Sequence, residues 1–215
     1  MTNRSVAAVG LALVLANSGA WAVIYDPAAN PSTNPAAANP QALAALDAGV
    51  ADLKEAQGLE ATLASSKDKT PPPALRSAYV RARKHFDDAT KSDAESAEAW
   101  NGLGFCQRKL GDYDAALASY DQAFKLKPGY PEAIEYRGEA YLGLGRLDDA
   151  KNAYLELFPR SRSLADTLLG AMKQWIAAQK SSAAAGDLAK WVEERSKIAA
   201  QTASLTRDQA SAGWQ

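Results

Sequence analysis

Three features of the chain are the usual starting points for catalysis or metal binding: a histidine, a cysteine and a serine–lysine spacing. His85 is the only histidine, so a Ser-His-Asp triad or a histidine-based metal site would rest on one ring without an organised partner. Ser66 and Lys69 have the serine-x-x-lysine spacing of some hydrolases, but they lie in a charged stretch that lacks the companion motifs. We therefore expect no enzyme, no cofactor and no metal site.

The single cysteine limits the covalent chemistry of the chain. Cys106 has no second thiol to pair with, which excludes an intramolecular disulfide and a zinc site made of several thiolates. It lies close to Leu103 and Gly104, among small and apolar residues. We expect a buried, unreactive side chain rather than a nucleophile.

Charge and composition exclude a further class of partner. The chain of 215 residues is 47% apolar, enough to bury a core, and its 24 basic and 25 acidic residues give a formal charge of -1. No basic field is available to attract a phosphate backbone, so we expect no nucleic-acid partner.

The N-terminus has the pattern of an export signal. Arg4 precedes an apolar run from Val6 to Ala16, and Ala20-Trp21-Ala22 has small residues at the positions that a signal peptidase reads. Residues 1–22 are therefore predicted to be a signal peptide, cleaved after Ala22, and the protein to be periplasmic or secreted. The alternative is an uncleaved membrane anchor, but Asn17 and Ser18 interrupt the run well short of the ~20 apolar residues that a spanning helix needs.

Without that segment, the chain has no evident means of stable membrane insertion. Lipid attachment needs a cysteine at the cleavage site, and Cys106 is remote from it. Residues 23–40 follow, rich in proline, alanine and asparagine, and are predicted to form a flexible tether.

Beyond the tether, strand signals are nearly absent, and helix-forming residues recur at helical spacing. Asn39 and Pro40 are suited to begin a helix, and Gly58 is predicted to end it. A loop is expected up to the three prolines at 71–73, with a second helix from about Ala74. The apolar side predicted for the first helix consists of Leu43, Leu46, Val50 and Leu53.

A repeat of 34 residues organises the middle of the chain. Shifted by that interval, the sequence aligns Gly104 with Gly138, Leu110 with Leu144, Gly111 with Gly145, Ala116 with Ala150 and Tyr120 with Tyr154. The opposite shift aligns Tyr79, Ala82, Phe86 and Ala89 with Tyr113, Ala116, Tyr120 and Ala123. Half of an earlier repeat is therefore present as well.

At these positions the sequence resembles the tetratricopeptide-repeat family. The matching residues are Trp100, Leu103, Gly104, Gly111, Tyr113, Ala116, Tyr120, Ala123 and Pro128, while Gln107 stands where an aromatic residue is usual. The resemblance implies an all-α fold in which antiparallel helix pairs stack as a short right-handed α-solenoid. In the central unit it implies helices at 97–110 and 113–126.

Helix packing and turn geometry explain why the repeat has small residues at fixed positions. Gly104 and Gly138 allow a neighbouring helix to approach closely, and Ala116 and Ala150 fit a tight helix crossing. Gly111 and Gly145 are predicted to end their helices in a left-handed turn.

The repeat domain is expected to cover residues 41–164, with units at about 41–96, 97–130 and 131–164. Residues 165–215 are predicted to form two amphipathic helices and a tail. Because repeat arrays expose an apolar end, these C-terminal helices are expected to be a cap, and a partner-binding helix is the alternative.

The resemblance implies that the first helix of each unit lines a concave groove. A basic and aromatic wall would face an acidic wall, which suits an extended peptide of mixed charge with an apolar anchor on Phe105 or Tyr136. A merely solvated helix face is the alternative. A terminal-carboxylate ligand is not expected, since Asn101 and Phe105 stand where relatives with that ligand have lysine and asparagine. The predicted groove residues are Glu98, Asn101, Phe105, Arg108, Lys109, Glu132, Glu135, Tyr136 and Glu139.

Two functions remain open at this point. The first is a periplasmic adaptor or assembly scaffold that binds a protein or peptide partner in the groove. The alternative is a structural protein that oligomerises through its C-terminal helices, and the sequence leaves the oligomeric state open.

Overall fold

The computed structural model describes residues 39–179 and 182–211. All of the regular structure in these ranges is helical, which confirms the all-α prediction. The helices are α1 (Pro40–Ser65), α2 (Pro73–Ser92), α3 (Ala97–Lys109), α4 (Tyr113–Leu126), α5 (Pro131–Gly143), α6 (Leu147–Leu157), α7 (Arg162–Ala178) and α8 (Ala183–Ser211).

Consecutive helices pack as pairs, and the pairs stack on one another. Helices α1 and α2, α3 and α4, and α5 and α6 form three antiparallel pairs, joined by the contacts of α2 with α3 and of α4 with α5. The stacking confirms the predicted solenoid-like arrangement. The stacking buries two apolar clusters, one from α1 to α5 and one from α5 to α8, because each pair buries one face against its neighbour. Phe124 packs against both clusters.

Glycine turns join the helices within the second and third pairs, as predicted. Gly111 and Gly145 have φ values of +87° and +70°, a region that costs glycine little. In both turns the residue after the glycine donates its N–H to a carbonyl five residues earlier: Asp112 to Gln107 at 2.9 Å and Arg146 to Tyr141 at 2.8 Å. The two turns are therefore the same structure repeated.

Helix α1 begins where the sequence indicates, and Asn39 caps it by accepting the Gln41 N–H at 3.0 Å. The prediction that Gly58 ends α1 is wrong, because the helix continues to Ser65. Gly58 is exposed and remains helical, while Ala56 and Leu63 continue the buried side of the helix.

Only part of the predicted apolar side of α1 is buried. Leu46 and Leu53 lie in the core, whereas Leu43 is 40% exposed. The helix ends at Ser65, and Lys69 in the following loop donates its Nζ to the Ala64 carbonyl at 2.7 Å. Helix α2 then starts at Pro73, as predicted.

Small residues set the spacing of the helices. A Cβ on Gly104 would lie 2.6 Å from Cε1 of Tyr120, the aromatic residue of the same helix pair. A Cβ on Gly138 would lie 2.6 Å from Cδ2 of Leu168 on α7. Ala116 and Ala150 are fully buried. The predicted close approaches at Gly104 and Gly138 are confirmed. The side chain that packs against the glycine differs between the two units, being Tyr120 in one and Leu168 in the other.

The C-terminal helices close the stack. Helix α7 packs mainly on α5 and less on α6, and α8 packs on α7. Helix α6 ends at Leu157, and α7 begins only a few residues later, at Arg162. The short connection keeps α7 close to the α5–α6 pair on which it packs. The signal peptide and most of the tether predicted for residues 1–40 lie outside the described residues. Within the described ranges, no helix is both long and apolar enough to cross a membrane.

Candidate functional site

The predicted groove residues lie on α3 and α5, the first helices of two consecutive pairs. Asn101 on α3 and Glu135 on α5 are separated by one repeat of 34 residues, so they occupy the same position in successive units. Two local features position the helices: Ser96 caps α3 by accepting the Ala99 N–H at 3.1 Å, and Pro131 occupies the first turn of α5. We call the nine predicted residues on these helices the inner row.

The inner row is largely covered. Asn101 and Glu135 are 0% exposed, Tyr136 is 2% exposed and Phe105 is 8% exposed. Glu98 is also buried, and Glu132 is half-buried. The structure therefore has neither two open groove walls nor a solvated helix face, and both sequence interpretations need correction on this point.

The residues expected on opposite walls contact each other instead. Arg108 of α3 forms a salt bridge with Glu139 of α5, and their side chains are 10% and 15% exposed. The Arg108 guanidinium also lies 5.0 Å from the ring centre of Phe105 and 5.3 Å from that of Tyr136. These two rings meet edge to face with their centres 5.0 Å apart. Charge pairing and ring packing thus close the row between α3 and α5.

A residue that the sequence interpretation missed closes the other end. Glu60 of α1 accepts hydrogen bonds from Lys109 Nζ at 2.9 Å and from the Tyr79 hydroxyl at 2.7 Å. It was missed because α1 was predicted to end at Gly58. The apolar spacing that continues through Ala56 to Leu63 is the signal that extends the helix to include it.

Several polar groups of the inner row are buried without a hydrogen-bond partner among the described residues. They include both amide atoms of Asn101, both carboxyl oxygens of Glu135 and the hydroxyl of Tyr136. The Tyr130 hydroxyl is the polar group that interacts with the Asn101 side chain. A buried polar group left unpaired costs roughly 1–3 kcal/mol. Groups of this kind are satisfied by ordered water or by a bound partner.

Burial favours the neutral form of the Glu135 carboxyl group. Burial raises the pKa of its carboxyl well above the ordinary range, and the nearby Glu139 carboxylate raises it further, while Arg108 and Lys109 act in the opposite direction. An uncharged carboxyl group has one O–H donor and keeps an acceptor oxygen. In its neutral form Glu135 therefore has one donor and one acceptor, as an amide does.

His85 and Cys106, the other residues considered for chemistry, take part in side-chain pairing and in core packing respectively. His85 Nδ1 lies 2.9 Å from Asp52 Oδ2, and Arg81 Nε lies 2.9 Å from the other oxygen of that carboxylate. Cys106 is 0% exposed, and burial raises the pKa of its thiol. The part of the chain that the structure describes has no group of three histidine, cysteine or acidic side chains placed to hold a metal.

Comparison with known proteins identifies the family of the repeat. Residues 97–130 match the tetratricopeptide repeat. The chain is 31% identical over 93 residues to the Hsp70-Hsp90 organising protein of Plasmodium falciparum, which covers 42% of this chain and 37% of that protein. It is 30% identical over 107 residues to the chloroplastic tetratricopeptide repeat domain-containing protein PYG7 of Arabidopsis thaliana, covering 47% and 36%. The chain thus spans little more than a third of these relatives.

A solved structure, the second TPR of Spaghetti (RPAP3) bound to the HSP90 peptide SRMEEVD, is also similar. It has 23% sequence identity and a TM-score of 0.44, and the match covers 55% of this chain and 91% of that one.

The family match alone confirms a tetratricopeptide repeat at residues 97–130. It does not address where the protein is located.

Proposed function

We propose that the protein is an adaptor that binds a protein or peptide partner along the inner row, between α3 and α5. The observation that carries the proposal is the set of buried, unpaired polar groups there, of which Asn101 and Glu135 are fully covered. A catalytic explanation is less suited, because these groups are not accompanied by a nucleophile with a base.

The repeat supports an interaction role. Stacked helix pairs of this kind form extended binding surfaces, and residues 97–130 match the repeat that defines them. A relative over 93 residues carries the name Hsp70-Hsp90 organising protein, which describes work on other proteins. We extend to this chain only the general role of binding a protein or peptide.

The charges of the inner row restrict how a partner binds. Arg108 and Lys109 are the cations of the row, and each is already paired with a carboxylate, Glu139 and Glu60 respectively. A partner that relied on its own carboxylate would have to displace one of these internal pairs, which are mostly shielded from water. An extended segment that uses uncharged polar groups avoids that displacement.

Selection from a library of random displayed peptides tests the proposal. The inner variant is Arg108→Gln with Glu139→Gln, which removes the salt bridge but keeps side chains of similar size. The matched control is Lys84→Gln with Asp88→Asn, an exposed pair on α2 whose side chains are 72% and 42% exposed. Circular dichroism first establishes that all three proteins are equally helical.

We expect peptides selected on the native protein to bind the α2 control equally well. On the inner variant their affinity should change by about tenfold or more, because the row between α3 and α5 is altered. Failure to enrich any peptide, or equal affinity for all three proteins, contradicts the proposal.

We also propose that the protein is exported to the periplasm or secreted. The support is the signal-peptide pattern of residues 1–22, with Arg4, the run Val6 to Ala16 and the small residues around Trp21. N-terminal sequencing of protein purified from cells tests this proposal. We expect Val23 as the first residue, and a chain that retains residues 1–22 contradicts cleavage.

A second candidate function is self-association through α8. This helix has 29 residues, against 17 for its packing partner α7, so it is longer by about 18 Å at 1.5 Å per residue. Ile198 on α8 is 37% exposed. Light scattering over a range of concentrations tests this candidate, and a monomer at every concentration contradicts it.

A further inference from the structure

Three hydrogen-bond donors at the C-terminal end of the stack are shielded from water and have no hydrogen-bond partner among the described residues. They are the Tyr154 hydroxyl on α6, Nη1 of Arg162 at the start of α7 and Nε of Arg195 on α8. We propose that these donors form a binding site for a phosphate group, presented by the free ion or by a small phosphate ester. The site is separate from the inner row and independent of the adaptor function proposed above.

Contacts between aromatic rings bring the three side chains together. The centre of the Tyr154 ring lies 5.5 Å from that of Phe158 and 5.3 Å from that of Trp191. Each of these two rings has a guanidinium over it. Arg162 lies 3.4 Å from the ring centre of Phe158, and Arg195 lies 5.5 Å from that of Trp191. The ring contacts therefore hold two cations next to the same tyrosine.

The charges around Tyr154 favour an anion at this place. Burial raises the pKa of the Tyr154 hydroxyl and Asp166 raises it further, while Arg162 and Arg195 act in the opposite direction. The hydroxyl therefore stays protonated near neutral pH and is available as a donor. Asp166 is exposed, and Glu194, which lies 3.3 Å from Nη2 of Arg195, has a side chain that is 68% exposed. Water screens both carboxylates, so they compensate the two cations only weakly.

The equivalent tyrosine of the preceding unit shows how a neighbouring guanidinium is neutralised within the fold. Tyr120 lies one repeat before Tyr154 and is also buried. The cation that acts on it, Arg108, forms a salt bridge with Glu139, whose side chain is only 15% exposed. In the part of the chain that the structure describes, the two guanidinium groups beside Tyr154 have no shielded carboxylate of this kind. An external anion can supply the missing counter-charge.

The donor set suits a phosphate group better than a carboxylate. A carboxylate has two oxygens, whereas a phosphate ester has three strong acceptor oxygens and can accept from three separate side chains. Guanidinium groups bind phosphate through charge-assisted hydrogen bonds, and a tyrosine O–H makes a short one to an anionic oxygen. Access requires rotation of Arg195, whose side chain is 28% exposed and lies on the last helix.

Titration of isotope-labelled protein with inorganic phosphate, followed by NMR, tests the proposal. The arginine Nε–H signals report on the site directly, and methyl phosphate and acetate are titrated at the same ionic strength. We expect saturable shifts of the Arg195 signal with phosphate. Acetate should bind about tenfold more weakly or less, since it has no third acceptor oxygen. Saturation by inorganic phosphate alone identifies the free ion as the ligand, and saturation by methyl phosphate identifies a phosphate ester.

Substitutions separate the site from a general effect of charge. Tyr154→Phe removes one donor and keeps the ring, and we expect the Kd for phosphate to rise about tenfold. Arg195→Lys keeps the charge but removes the Nε donor, and a similar rise is expected. The matched control is Tyr120→Phe, the same change one repeat earlier, which should leave the Kd within about twofold of the native value. Circular dichroism and thermal melts establish that each variant is folded.

Absence of saturable binding by both inorganic phosphate and methyl phosphate would overturn the inference. Equal affinity for phosphate and acetate would overturn it as well, because it would indicate attraction to positive charge in general. So would a Kd for phosphate that Tyr154→Phe leaves unchanged or that Tyr120→Phe raises equally. Peptide selection on the inner row does not depend on these results, so failure of the phosphate site is distinguishable from failure of the adaptor proposal.

Discussion

Arg108 on α3 pairs with Glu139 on α5 while its guanidinium lies 5.0 Å from the ring centre of Phe105. One side chain thus joins two consecutive first helices by charge and stacks on the aromatic pair between them. Because both partners of the salt bridge are shielded from water, removing one of them leaves a buried charge without compensation, which costs more than breaking an exposed pair.

Removing one partner of this salt bridge should destabilise the fold. We expect Glu139→Gln to lower the free energy of unfolding by about 1–3 kcal/mol, because it leaves the Arg108 charge buried without a counter-charge. Urea denaturation measures the change. The matched control, Asp88→Asn in the exposed pair with Lys84, should change stability by less than about 0.5 kcal/mol. Equal effects of the two substitutions would contradict a structural role for the Arg108–Glu139 pair.

Glu135→Leu should stabilise the protein, although it removes a polar group that we assign to binding. An apolar side chain leaves no buried oxygen unpaired, so we expect the free energy of unfolding at neutral pH to rise by about 1–3 kcal/mol. Glu132→Leu is the control on the same helix and should not reproduce the gain.

The gain from Glu135→Leu should depend on pH. The unfolded chain releases the Glu135 proton near pH 4.3, whereas the folded chain keeps it to higher pH because burial raises the pKa. Between these two pKa values the folded state binds the extra proton, so native stability falls as pH rises. Thermal melts from about pH 4 to about pH 8 should show a small gain at the acid end and a larger gain at the alkaline end. A gain that is independent of pH would mean that Glu135 ionises normally in the fold.

Glycine substitutions should separate close packing from simple helix propensity. Gly104→Ala places a Cβ 2.6 Å from Tyr120, and we expect a loss of about 1–3 kcal/mol. Gly58 is exposed in the middle of α1, and a Cβ there meets nothing within 4 Å. Gly58→Ala should therefore stabilise the protein by about 0.5–1 kcal/mol. Destabilisation by Gly58→Ala would contradict a continuous helix through that residue.

Cys106 should be inert in the native protein. Its side chain is 0% exposed, and burial raises the thiol pKa, so little thiolate forms near neutral pH. A colorimetric thiol reagent should react with it only after denaturant is added, and the unfolded sample is its own control. Rapid reaction before unfolding would show that α3 is not packed as described.

The sequence was sufficient to predict the repeat and its special residues. The 34-residue interval identified Gly104 as a packing position and Gly111 as a left-handed turn, because these sites depend on short-range backbone geometry and on one facing side chain. It did not reveal where α1 ends. Gly58 was interpreted as a stop, but a helix that buries Ala56 and Leu63 against its neighbours outweighs the small cost of one exposed glycine.

The inner row was predicted by residue but not by environment. Glu135 and Phe105 were placed on a groove wall, as their positions in the repeat imply, yet the structure buries both. Their burial depends on how closely the first helices of successive pairs stack, through the Arg108–Glu139 salt bridge and the edge-to-face contact of Phe105 with Tyr136. Such long-range packing leaves no mark in local periodicity.

Hydrogen–deuterium exchange of the whole protein, with and without a peptide selected on it, tests the central claim most directly. If a partner binds along the inner row, amide protection should increase in α3 and α5, at 97–109 and 131–143, and remain unchanged in α8. Protection confined to α7 and α8, or none at saturating peptide, would contradict a binding site between α3 and α5.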